Sequence, residues 1–67
     1  MNDFHRFVVE EKDALSVRVS GIEDFIHGDD FQFMPHKEQW RLGMQLAYMR
    51  SYLEILHERI EHFRIAA

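Results

Sequence analysis

The stretch LGMQLAYMRSYLEILHERIEHF, residues 42–63, carries the most regular hydrophobic pattern of this 67-residue chain. Its apolar residues follow one another at alternating steps of four and three, the spacing of one coiled-coil seam. The members of this row are Leu42, Leu46, Met49, Leu53, Leu56, Ile60 and Phe63. The pattern predicts one long helix over about residues 35–65. Pro35 suits its first turn, where the N–H that proline lacks is not needed.

A second apolar row runs through the first half of the chain. It consists of Phe4, Val8, Leu15, Val19, Ile22 and Ile26, and Lys12 fills the one gap in its helical spacing. We predict a helix over about residues 3–27, capped by Asp3, and a turn over residues 28–34. Gly28 is expected to be left-handed, as glycine often is after a helix. So short a turn makes the helices antiparallel, so the predicted fold class is all-α, a two-helix hairpin.

The small size of the chain favours assembly into a homo-oligomer. A single domain over residues 1–67 hides only ~60% of its unfolded surface, and the absence of cysteine excludes disulfides as compensation. Further apolar residues lie off the two seams, where one partner helix cannot cover them. They are Phe7, Val9, Val17, Phe25, Trp40, Met44, Ala47, Tyr48 and Ile55. We therefore expect the hairpin to form a helical homo-oligomer that buries these rows.

The composition argues against several partner classes. The formal net charge of −4 disfavours duplex nucleic acid, because binding to phosphate backbones normally needs a basic face. No window approaches the ~20 apolar residues of a membrane span, and the amino terminus does not resemble a signal peptide. The sequence thus predicts a soluble cytoplasmic protein.

Catalytic and metal-binding patterns are weak. Glu54-x-x-His57 has the spacing used by carboxylate-bridged metal sites in helical bundles, but only one copy occurs, and a solvated face explains it better. The serines have no triad context and the glycines form no phosphate loop. We expect no enzyme activity, no metal and no cofactor.

A small set of cations, aromatic residues and one glutamine borders the seams and offers a ligand site. Arginine and lysine can anchor phosphates, a tyrosine ring can stack on a nucleobase, and a glutamine can bond a base edge. The set comprises Lys12 and Arg18 on the first helix and Gln45, Tyr48, Tyr52 and Arg59 on the second. A purely structural interpretation is also open. In it the tyrosines are seam aromatics, Arg59 pairs with a glutamate across the hairpin, and Lys12 extends along the apolar row.

Several runs together resemble a known family. They are Phe7-Val8-Val9-x-Glu11-Lys12-x-x-Leu15, Ile22-x-x-Phe25-Ile26, Gln39 to Leu42, Gln45 and Met49-x-x-Tyr52-x-x-x-Leu56-x-x-Arg59-Ile60. In this combination the chain is similar to small phage hairpin proteins that act as sponges for the cyclic oligonucleotide signals of CBASS defence. Related hairpin sponges absorb the cyclic ADP-ribose signals of Thoeris systems. The resemblance covers nearly the whole chain.

The resemblance implies a phage or prophage protein that works in the host cytoplasm as a homo-oligomer, a hexamer. Cyclic dinucleotides would bind between protomers and cyclic trinucleotides at separate sites, and the ligand would be held without cleavage. By the same resemblance Lys12 and Arg59 anchor phosphates and an aromatic side chain stacks on the bases. Phe4 and Phe7 would replace an amino-terminal piece that family members can carry.

A different class of function remains open at this point. The apolar rows would also suit a structural or adaptor hairpin that oligomerises or binds a helix of a host protein.

Overall fold

Two long helices make up almost all of the structure, a computed structural model that describes residues 2–66. Helix α1 spans Asp3–Ile26, a one-turn 3-10 helix spans Asp30–Phe33, and helix α2 spans His36–Ala66. The helices pack against each other as a hairpin 48 Å long and 15 Å across. All regular structure in the described residues is helical, which confirms the predicted fold class at that level.

The core of the hairpin is one apolar seam. Val8 and Val19 of α1 and Leu46 and Leu56 of α2 are buried, and Leu56 has no exposed surface at all. The other predicted seam residues are half-buried, apart from Phe4. Phe4 is mostly exposed and meets the ring of Phe63 edge to face, with 6.4 Å between ring centroids. The spacing of four and three therefore correctly predicted the residues through which the helices pack against each other.

Both ends of α1 differ in detail from the sequence-based expectation. The cap is Asn2, not Asp3: the side-chain oxygen of Asn2 accepts the N–H of His5 at 2.8 Å. The prediction of a left-handed Gly28 is also wrong, because no glycine in the described residues has a positive φ. The helix tightens at its end instead, where the N–H of Gly28 donates to the carbonyl of Phe25 at 3.1 Å. The backbone thus stays right-handed as it leaves the helix.

The side chain of Gln39 fixes the turn onto the start of α2. Its amide nitrogen donates to the carbonyl oxygens of Phe31 at 3.0 Å and Met34 at 3.1 Å. The ring of Phe31 in turn packs edge to face against Phe25 at 6.3 Å between centroids. The hydrogen bonds of Gln39 therefore join the turn to α2, and the contact between Phe31 and Phe25 joins it to α1.

Much of the apolar surface outside the seam is exposed in the single hairpin. Val17, Tyr48 and Trp40 keep about 70% of their surface open, at 72%, 70% and 68%. The sequence had placed all three off the seam, whereas Val9 is half-buried. No described helix combines the length and apolar character that crossing a bilayer requires.

Replacing Gln39 by alanine should lower the free energy of unfolding by roughly 1–2 kcal/mol, because the carbonyls of Phe31, Gln32 and Met34 lose this donor. Chemical denaturation followed by circular dichroism measures this change. Gln32→Ala is the matched control, since Gln32 is an exposed turn glutamine whose side chain makes no hydrogen bond within residues 2–66. Equal losses of unfolding free energy in the two variants would show that the hydrogen bonds of Gln39 do not stabilise the turn.

Candidate functional site

Two columns of side chains face each other along one side of the hairpin. Each column repeats every seven residues, so its members share one edge of their helix. The column of α1 is Phe4, Glu11 and Arg18, and the column of α2 is Gln45, Tyr52 and Arg59. Because the helices are antiparallel, the first residue of one column meets the last of the other. We call this side of the hairpin the arginine face.

The open end of the arginine face holds the first cross-helix pair. The guanidinium carbon of Arg59 lies 5.3 Å from the centroid of the Phe4 ring. A cation over an aromatic face is attracted by the ring quadrupole, which holds the guanidinium without neutralising it. The charge of Arg59 therefore remains available to an anion.

The middle of the arginine face holds a polar pair. The hydroxyl of Tyr52 donates a hydrogen bond to the carboxylate of Glu11. The bond raises the pKa of Tyr52 above its ordinary value of 10.0, because it stabilises the neutral phenol; desolvation and the negative charge of Glu11 act in the same direction. Tyr52 is thus a neutral phenol at physiological pH, with its ring partly exposed.

An open groove forms the third part of the arginine face, towards the turn. Its floor is apolar, and two polar side chains belong to it: Arg18 on α1 and Gln45 on α2. The lining residues are Leu15, Arg18, Gly21, Ile22, Phe25, Leu42, Gln45 and Met49. The Gln45 amide nitrogen makes a long contact of 3.7 Å with the sulfur of Met49, a weak acceptor. A flat apolar group could lie on the floor of the groove. The Arg18 guanidinium and the Gln45 amide could then make polar contacts with the same ligand.

The two arginines of this face differ from most other cations of the chain. Arg6, Lys12, Arg41 and Arg50 each lie within ion-pair distance of a carboxylate. Within residues 2–66, neither Arg18 nor Arg59 forms such a pair. The predicted structural alternative, a cross-hairpin pair between Arg59 and a glutamate, is therefore not the observed arrangement. An incoming anion would meet two guanidinium groups that have no competing carboxylate partner.

The remaining predicted aromatics flank the arginine face. Tyr48 lies one helical turn from Gln45 and from Tyr52, and its side chain is exposed. Phe7 lies one turn before Glu11 on α1 and is also exposed, with the guanidinium of Arg6 at 5.7 Å from its ring centroid. Each ring could stack on a group bound beside the columns.

Lys12 lies on the opposite side, which we call the lysine face. Its side chain is 27% exposed and pairs with Asp13, its neighbour in sequence. It borders a small depression together with His57, Ile60, Glu61 and Arg64. The structure therefore does not bring Lys12 and Arg59 of one hairpin together, although both were predicted to anchor phosphates.

Distance also separates the cations within the arginine face. Gln45, opposite Arg18, and Arg59 are two heptads apart in α2, which corresponds to roughly 21 Å along the helix axis. One hairpin thus presents two anion positions, one at each end of the columns, with the Glu11–Tyr52 pair between them.

Glu54 and His57 line another shallow depression on the lysine face, with Arg50 and Leu53. Within the described part of the chain, no three histidine or acidic side chains cluster closely enough to hold a metal ion.

Sequence reasoning missed two residues of the arginine face. Glu11 holds the hydroxyl of Tyr52, and Gly21 belongs to the groove. The signal for Glu11 was present, because it lies midway in the heptad series from Phe4 to Arg18. Gly21 carried a different signal, because a glycine inside a helix is typical of close approach by another backbone. Within the hairpin that interpretation is wrong, since a Cβ built on Gly21 would meet nothing within 4 Å.

Comparisons with known proteins give one result. A sequence model of a protein family described as Sequestin matches residues 2–62, which is most of the chain. No curated protein and no solved structure matches it.

The Glu11–Tyr52 bond predicts a specific alkaline titration. In a Tyr48→Phe variant, where Tyr52 is the remaining tyrosine, absorbance at alkaline pH should give a pKa above 10.0, and adding Glu11→Gln should lower it. The bond stabilises the fold below the unfolded pKa of tyrosine, and this contribution is lost as pH rises through the folded pKa. A pKa that does not respond to Glu11→Gln would show that the bond does not form.

Proposed function

The chain belongs to the Sequestin family, and we propose that it sequesters cyclic di- or trinucleotide second messengers and so blocks CBASS-type antiviral signalling. In this proposal it is a phage or prophage protein that acts in the cytoplasm of the host cell. It binds the messenger and does not cleave it, so signalling stops because free messenger is depleted. The description of the family supports the sequestering part of this proposal.

The observation that carries the choice of ligand is a pair of guanidinium groups, without a carboxylate partner in residues 2–66, on a face lined with aromatic and apolar side chains. Arg18 and Arg59 suit phosphates, the Gln45 amide suits a base edge, and Tyr52 offers a ring for stacking. A cyclic dinucleotide or trinucleotide carries only two or three phosphates. A few cations repeated by symmetry can therefore hold it, although the chain has a net charge of −4.

A complete site in this proposal needs more than one hairpin. Arg18 and Arg59 lie at opposite ends of the arginine face, and Lys12 lies on the other side of the molecule. Packing hairpins together would bury exposed apolar residues such as Tyr48, Ile55 and Trp40. We propose a homo-oligomer, a hexamer by the resemblance to the phage sponges, in which neighbouring hairpins complete the site.

One observation favours a second candidate function. The exposed apolar residues Val17, Trp40 and Ile55 would also suit a structural or adaptor hairpin that binds a helix of another protein. That function makes no use of Arg18 and Arg59, and it predicts no affinity for nucleotides.

Calorimetric titration with cyclic di-AMP, cyclic di-GMP, cyclic GMP–AMP and cyclic tri-AMP separates the two candidates. We expect saturable binding of at least one of them by protein shown to be folded and oligomeric. Absence of binding to the whole panel by such protein would contradict sequestration of these messengers and favour the adaptor.

For the ligand that binds, Arg59→Ala should weaken affinity by roughly 10- to 100-fold, the usual loss for a hydrogen bond to a charged group. Arg50→Ala is the matched control, because Arg50 lies on the lysine face of the same helix and pairs with Glu23 at 2.8 Å. Oligomer mass and helicity should be unchanged in both. Equal affinities of the two variants would show that Arg59 is not an anchor.

A mixing experiment tests whether Lys12 and Arg59 serve one ligand. If the site combines Lys12 of one hairpin with Arg59 of another, co-refolding Lys12→Ala with Arg59→Ala protein should restore about a quarter of the sites. If mixing restores none, although each variant alone binds weakly, the two residues do not act at a shared site.

A further inference from the structure

Gly21 is unexplained by the fold of the hairpin. It lies inside α1, where glycine is less favourable than alanine, and its φ is negative as in any helical residue. A Cβ atom built on Gly21 would meet nothing within 4 Å. The hairpin would therefore accept a side chain at this position and gain helix stability from it.

The location of Gly21 suggests that its missing side chain serves ligand binding and not folding. It borders the groove of the arginine face, and it follows Arg18 by one helical turn, so the two are neighbours on the helix surface. The missing side chain leaves the backbone of α1 open beside a guanidinium that has no carboxylate partner in residues 2–66.

We infer that Gly21 keeps the groove open for the sequestered nucleotide. A base lies on the apolar floor against the backbone at Gly21, while a phosphate of the same ligand reaches Arg18. This inference rests on the proposed function and extends it, because it assigns the groove to the base and names the residue that makes room for it.

The polar groups of the groove favour a nucleotide over an apolar helix as the occupant. An apolar helix seated there would bury the Arg18 guanidinium and the Gln45 amide without strong partners, which is costly. A nucleotide supplies phosphate oxygens to the first and a base edge to the second. The charge and the hydrogen-bonding groups of the groove therefore match a nucleotide.

We expect substitutions of Gly21 to change stability and ligand affinity in opposite directions. Gly21→Ala should raise the thermal midpoint and weaken ligand binding, and Gly21→Leu should weaken binding by about tenfold or more, because it fills space beside Arg18. Gly43 gives matched controls, since a Cβ there also meets nothing within 4 Å. Gly43 shares a heptad column with Arg50 and His57, on the lysine face.

The experiment measures thermal midpoint, oligomer mass and calorimetric affinity for cyclic GMP–AMP and cyclic tri-AMP in the wild type, both Gly21 variants, Gly43→Ala and Gly43→Leu. We expect all proteins to keep the oligomer mass of the wild type and only the Gly21 variants to lose affinity. Unchanged affinity in Gly21→Leu, or equal losses at Gly43, would overturn the inference while leaving sequestration intact.

Two further outcomes separate failure of this inference from failure of the proposed function. Dissociation of the oligomer in Gly21→Leu but not in Gly43→Leu would overturn the inference in favour of a contact between hairpins at Gly21. Failure of the wild type to bind either nucleotide or any other of the panel would remove the proposed function itself, and the assignment of the groove with it.

Discussion

The single apolar seam between α1 and α2 is the interaction on which the rest of the structure depends. A helix can turn only one stripe towards a single partner, and within residues 2–65 the buried side chains are Val8, Val19, Leu46 and Leu56. All other stripes face outwards. The polar side chains therefore lie on the surface of the hairpin, and enclosing a ligand would require several hairpins, as the proposed function assumes.

The seam also sets the register of the columns beside it. With the seam packed, Phe4 meets Arg59, Glu11 meets Tyr52, and Arg18 lies across from Gln45. The antiparallel order puts at each end one arginine that forms no ion pair within residues 2–66, and it puts the Glu11–Tyr52 pair in the middle. This arrangement suits an anion shared between neighbouring hairpins better than one held by a single hairpin.

The sequence predicted the helices and the seam because their periodicity is strong, but it could not predict finer geometry. Asn2 and Asp3 are both good caps, so choosing between adjacent positions needs the backbone. The resemblance assigned both Lys12 and Arg59 to phosphates without stating where they lie in one hairpin. A heptad pattern does not state the hand of the hairpin, which decides which flank of α1 adjoins which flank of α2. The structure puts Lys12 beside His57 and Arg64, on the flank away from Arg59.

The central claim is that this hairpin holds a cyclic nucleotide intact. The most direct measurement loads the oligomer with cyclic GMP–AMP or cyclic tri-AMP, removes free nucleotide by gel filtration, denatures the protein by heat and identifies the released nucleotide by mass spectrometry. We expect release of the unaltered cyclic compound in a fixed ratio to protein. Release of a linear product, or retention of no nucleotide by the folded oligomer, would contradict it.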